Sequence, residues 1–69
     1  MVKVWSIEQR IAGTWHTLEF TDSRKDAQQA RQQLMRRYLV SRWNVRTPSY
    51  EIEPTAEAIA NFLNKHRQQ

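Results

Sequence analysis

The chain has no cysteine, a single glycine and only two prolines in 69 residues, and each scarcity closes off a class of function. Without cysteine there is no disulfide, no thiol nucleophile and no thiolate for a structural zinc site, so a cytoplasmic setting is the natural expectation. With Gly13 as the lone glycine, no glycine-rich loop can cradle a phosphate and no flexible linker divides the chain. No apolar run approaches the roughly 20 residues that span a bilayer, and the N-terminus lacks the apolar core of a signal peptide. One soluble domain over residues 1–69, with no membrane partner, is expected. A domain of this size buries only about 60% of the surface its unfolded chain exposes, which leaves little room for a deep substrate pocket.

What the chain does have is positive charge, and the charge is concentrated. The formal net charge is +4. Residues 22–46 carry Arg24, Lys25, Arg31, Arg36, Arg37, Arg42 and Arg46 against Asp22 and Asp26, a local +5, so the remainder is −1. Cations and amides together suit an anionic partner, because both donate hydrogen bonds and cations release counterions on binding. The ordinary alternative is a solvated helix face.

This basic stretch coincides with the clearest helix, Ser23 to Leu39. Ser23 is placed as N-cap, and Asp26 three residues later favours the positive helix end. Ala27, Ala30, Leu34 and Tyr38 recur at helical spacing as one apolar stripe, flanked by Met35 and Leu39. That stripe is expected to face a sheet. Lys25, Gln29, Gln32 and Arg36 occupy the opposite side, and Arg31 lies near the stripe, where its stem can run along the core edge.

Before the helix, Val2 to Arg10 and Thr14 to Thr21 are rich in β-branched and aromatic residues around Ala12-Gly13, the pattern of a hairpin. Two registers compete. A two-residue loop puts Ile7 opposite Leu18 and Trp5 opposite Phe20, gathering four apolar side chains on one face and setting Arg10 opposite Trp15 for a cation–π contact. A three-residue loop spares Ala12 a positive φ but mixes the faces, grouping Val4, Leu18 and Phe20 against Trp5, Ile7 and Trp15. Cleaner segregation favours the first.

After the helix, Arg42 to Thr47 alternates as a half-buried strand, with Trp43 and Val45 on one side. Pro48 interrupts the ladder, so Pro48-Ser49 either bends one long edge strand or turns a second hairpin before Tyr50 to Glu53. A final helix starts at the N-cap Thr55, with Glu57 in its first turn and Lys65, His66 and Arg67 in its last. Its apolar face is Ile59, Phe62 and Leu63. The order is β-β-α-β(-β)-α, an α+β fold with a three- or four-stranded sheet packed by two helices.

No constellation of catalytic residues emerges. His16 and His66 fall on different elements without companions at metal-ligand spacing, and Glu51 and Glu53 read as a solvated strand edge rather than an acid–base pair. No serine sits in a nucleophile elbow. A non-enzymatic protein with no cofactor is therefore expected. Trp5 and Trp43 are assigned to the core, since a small domain needs large side chains to fill it, and Trp15 is the candidate for exposure.

Trp5, Ile7, Glu8, Gly13 and Trp15, followed by Ser23, Arg24 and Ala27 opening a helix, form a pattern that resembles short proteins of bacteriophage and mobile elements. The resemblance implies an inhibitor or modulator that covers a surface of a host protein or protein–nucleic-acid machine. Two binding readings follow. In one, the basic central helix docks on a host protein; in the other, segment 24–46 contacts the phosphates of DNA or RNA. The candidate binding residues are Lys25, Gln29, Gln32, Arg36, Arg37, Arg42 and Arg46, with Arg10 and Trp15. A homodimer is a further candidate assembly, because a small domain gains core that way.

Overall fold

The hairpin turns on Ala12 and Gly13, whose φ values of 53° and 82° are both positive, as a two-residue primed turn requires. Gly13 adopts this freely, whereas Ala12 bears a left-handed cost of about 1–2 kcal/mol. Strands β1 (Val2–Ile11) and β2 (Thr14–Thr21) pair antiparallel around it in a computed structural model that describes residues 1–67, Arg67 by its backbone alone. Next to the loop the favoured register holds, with Arg10 opposite Trp15 and Glu8 opposite Thr17.

Beyond Glu8 the register shifts at a β-bulge, so that Ile7 pairs with Glu19, Ser6 with Phe20 and Trp5 with Thr21. The expected Ile7–Leu18 and Trp5–Phe20 pairs do not form. The extra residue moves Phe20 to the face opposite Trp5 and Ile7. Its physical reason is that the sheet has a helix on each side and needs apolar side chains on both, not on one.

Ser23 caps α1 (Arg24–Arg37) as expected, its Oγ accepting from the Asp26 N–H at 3.2 Å. The helix stops earlier than Leu39. Tyr38 is its C-cap, Leu39 turns left-handed at φ 55°, and the Val40 N–H reaches back to the Leu34 carbonyl at 3.1 Å. Tyr38 and Leu39 therefore leave the apolar stripe and point outward, both exposed. The chain then makes a 3-10 turn at Arg42–Asn44, capped by Ser41, whose Oγ accepts from the Trp43 N–H at 3.3 Å. Only Val45–Arg46 of the expected Arg42–Thr47 strand is extended, as β3, and Trp43 lies outside the core, 69% exposed.

β3 and β4 (Ser49–Ile52) both pair antiparallel with β1, from Gln9 opposite Val45 to Val2 opposite Ile52, without loss of register. Pro48 thus bends one long edge strand. Its carbonyl still accepts from the Ser6 N–H at 3.0 Å, but it has no N–H to return. β1 is central, with β2 on one side and β3 and β4 along the other. The last helix, α2 (Ala56–Arg67), begins after Thr55, whose Oγ1 accepts from the Ala58 N–H at 3.1 Å. The side chain of Arg67, assigned to its last turn, lies outside the described residues.

The architecture is an α+β small domain, a four-stranded antiparallel sheet with two helices. Ile7, on one face of β1, lines a cleft with Ala30 and Leu34 of α1, while Val2 and Val4, on the other face, line a groove with Ile59, Phe62 and Leu63 of α2. The helices therefore cover opposite faces. On the α1 side the core is Ile7 (1% exposed), Ala27 (1%) and Val45 (5%). On the α2 side Phe62 and His66, 4.3 Å apart, pack against Phe20 and Tyr50 with ring centroids 4.8–5.5 Å away.

Candidate functional site

The outer side of α1 carries the charged row that the sequence suggests. Lys25, Gln29, Gln32 and Arg36 recur at three- and four-residue intervals and all are exposed, as is Arg37. The short, closely packed Ala27 and Ala30 on the inner side hold this row at a fixed height above the sheet. Toward the helix C-terminus, Gln29, Gln32, Gln33, Arg36 and Arg37 line a shallow polar groove. Gln33 also lines a neighbouring apolar cleft of about 150 Å³, whose other walls include Leu18, Leu34 and Tyr38. A band of arginines and amides thus adjoins a small apolar cleft, and Leu39, 87% exposed, follows Tyr38 directly.

Arg10, Trp15 and Arg46 are elsewhere. Their pairing places them on the sheet face opposite α1, so of the nine candidate residues five lie on α1, three on the opposite sheet face and Arg42 in the 3-10 turn. Trp15 is not free. Its ring is only partly exposed and lies 4.1 Å from the Arg46 guanidinium carbon and 5.7 Å from that of Arg10. The Arg10–Trp15 contact expected from the register is present. Both arginines are engaged in turn: Arg10 donates from Nε and Nη2 to Asn44 Oδ1 at 3.1 and 3.0 Å, and Arg46 donates from Nε to Glu8 Oε1 at 2.5 Å. Arg42 lies 4.6 Å over the ring of exposed Trp43. Trp43, expected in the core, is thus the exposed tryptophan, and Trp15, expected to be exposed, is partly covered by two arginines.

Glu8 is the centre of a buried polar group that the alternating pattern of β1 does not reveal. It is fully buried, accepts from Ser6 Oγ at 2.5 Å and from Arg46, and is hydrogen-bonded by Tyr50. A buried carboxylate needs such partners, because an unpaired one is costly. Burial first, and then the Glu8 charge, push the Tyr50 hydroxyl above its ordinary value. His66, read from sequence as a helix-end cation, is instead buried among Phe20, Tyr50 and Phe62, its Nδ1 3.0 Å from the Phe62 carbonyl.

Among the described residues no group of three or more His, Cys, Asp or Glu could hold a metal ion, and no helix is long and apolar enough to cross a membrane. No model of a known protein family, no curated protein and no solved structure matches the chain. Lys25, Gln29, Gln32, Arg36 and Arg37 lie on the outward face that their spacing predicts, whereas the spacing does not show that Gln33, Leu18 and Tyr38 adjoin them or that Leu39 points outward. Ser41 two residues before Trp43 is a capping signal that could have moved Trp43 out of the strand.

Proposed function

We propose that the protein is a non-enzymatic binding module that docks on an acidic protein surface through the C-terminal half of α1, acting as an inhibitor or modulator by covering that surface. The observation that carries this reading is the polar groove of Gln29, Gln32, Arg36 and Arg37 joined through Gln33 to the apolar cleft at Leu18, Leu34 and Tyr38. Arginine and aromatic residues next to a pocket are the composition of protein-interface anchors, and an outward aliphatic side chain such as Leu39 serves a protein surface rather than a phosphate. The resemblance to short phage proteins supports a host protein as the target.

A second reading has its own observation. Arg42 stacked on exposed Trp43 is an arrangement on which a nucleic-acid base can stack.

Affinity capture from host lysate at physiological salt, with the protein and its Arg36→Glu/Arg37→Glu variant as baits, tests the first reading. The expected result is a stoichiometric partner retained by the parent and lost by the variant while the circular dichroism spectrum is unchanged. Titration of tryptophan fluorescence with duplex DNA, single-stranded DNA and RNA tests the second. Tight binding that persists at physiological salt and disappears in Trp43→Ala would replace the protein-docking reading; binding that collapses with modest salt leaves it standing.

A further inference from the structure

The docking groove lies toward the C-terminal end of α1, and the other end of the same helix borders a different polar cavity. Ile7 faces α1, so Trp5 and Lys3, two and four residues before it on β1, stand on the same side of the sheet. Ser49 pairs with Trp5 and shares that side. Together with Thr47, on the far side of Pro48, and with Arg24 and Gln28 on the flank of α1, they line a cavity of about 350 Å³. Arg24 and Gln28 are about 6 Å apart along the helix, and Lys3 and Trp5 about 7 Å apart along the strand. Side chains from three segments therefore converge on one space.

Each polar side chain around this space can donate a hydrogen bond, and among the described residues no carboxylate lines it. Carboxylates come near without entering. Glu51 pairs with Lys3 across the strands, and Asp22 and Asp26 adjoin Arg24 in the chain. Among the described residues neither cation has an ion pair, and neither the Gln28 amide nor the Thr47 and Ser49 hydroxyls have a hydrogen bond. The Lys3 amine sits 5.5 Å from the centroid of the half-buried Trp5 ring, an attraction that holds it at the cavity wall. Around Glu8 the chain itself supplies the anion that Ser6 and Arg46 bind. Around Lys3 and Arg24 it supplies donors.

We propose that this cavity binds a phosphate dianion, free or as the monoester group of a small molecule. The two cations match the charge of about −2 that such a group carries at neutral pH, and its three terminal oxygens take donors arriving from helix and sheet together. A carboxylate or a phosphodiester brings a single charge and two free oxygens. The volume is at the small end of the range in which proteins hold small molecules, about 300–1,000 Å³, with room beside the phosphate for the organic part of an ester. The site is separate from the groove at Arg36 and Arg37, and the inference does not depend on what that groove binds.

The test is a titration of the isotope-labelled full chain in phosphate-free buffer, followed by NMR in the amide and indole N–H resonances. The probes are inorganic phosphate, phenyl phosphate, dimethyl phosphate and acetate. Inorganic phosphate and phenyl phosphate should move the Trp5 indole resonance and the amides of Arg24, Gln28, Thr47 and Ser49 to saturation, with a dissociation constant of about 1 mM or tighter. Dimethyl phosphate and acetate should bind at least about tenfold more weakly. Tighter binding of the phenyl ester supports the site with a phosphorylated small molecule as its ligand, and equal binding supports it with free phosphate. Lys3→Gln and Arg24→Gln, both at exposed positions, should each weaken phosphate binding about tenfold, whereas Lys65→Gln, which removes the same charge from α2, should leave it unchanged. No movement of these resonances by about 10 mM phosphate overturns the proposal. So does movement confined to Gln32, Arg36 and Arg37, acetate binding as tightly as phosphate, or equal weakening by Lys65→Gln.

Discussion

The two faces of one sheet are covered by two helices that solve the same problem in opposite ways. α1 comes close: alanines at 27 and 30 bring its backbone near β1 and β3, and the contact is completed by Ile7 and Val45. α2 stands off and fills the space with rings, Phe62 and His66 against Phe20 and Tyr50. Small residues complete the inner side of α1 and leave its outer side to amides and cations, with Asp26 the one carboxylate, in the first turn. Rings satisfy only part of the apolar side of α2, and Ile59 and Leu63 remain half in water. A helix that packs through small residues is free to specialise outward, whereas one that packs through a few large ones depends on each of them.

α2 is therefore the more vulnerable of the two packings. Phe62→Ala removes a ring that touches Phe20, Tyr50 and His66 at once. It should cost about 2–3 kcal/mol, less than full burial would give because the ring is partly exposed. A chain of this length has only about 3–10 kcal/mol of stability in total, so thermal denaturation followed by circular dichroism should show a large loss of melting temperature; a shift of only a degree or two would mean that α2 is held by something else.

On the α1 side the corresponding injury is overfilling. Ala27→Leu forces the helix away from Ile7 and Val45 and should cost about 2 kcal/mol, read in urea as a lower midpoint at unchanged slope. Unchanged stability would show that the close approach is not what seats α1.

Leu39 separates stability from binding on the same helix. Leu39→Gly relieves a left-handed conformation, should raise stability by about 1 kcal/mol, and removes an exposed side chain from the docking surface. Higher melting temperature with weaker capture of the partner is the expected pair of outcomes; a variant that melts lower would contradict the strain.

The smallest effect is titration. Tyr50 has its folded-state pKa raised above the ordinary value of 10.0, so the folded protein resists its deprotonation more than the unfolded chain does. Stability from this group is complete below about pH 10 and falls as pH rises through the raised value. Urea midpoints between neutral and strongly alkaline pH should show a fall that Tyr50→Phe lacks.

Local chemistry was legible where it acts within a few residues. The caps at Ser23 and Thr55, the Ala12-Gly13 turn, the extent of β2 and the outward row on α1 all rest on neighbours in sequence. What escaped is decided at a distance. Trp43 alternates with Val45 as a strand would, yet Asn44 is held by Arg10 and the chain turns there instead. Glu8 alternates with Arg10 as if solvated, and its burial depends on Ser6, Arg46 and Tyr50 arriving together. The end of α1 carries no glycine to announce it, because Leu39 takes the conformation glycine ordinarily supplies.

The bulge in β2 gives the hairpin two counting frames, one from the loop to Glu8 and another from Ile7 to Trp5. Substitution and deletion at Leu18 are therefore not degrees of the same change. A different side chain there alters one wall of a shallow cleft, whereas removing the residue restores a single frame in which Glu19 still meets Ile7 and Phe20 still meets Ser6, so Phe20 keeps its place in the aromatic cluster. The bulge is the one place where this strand can lose a residue and keep each side chain on its face of the sheet.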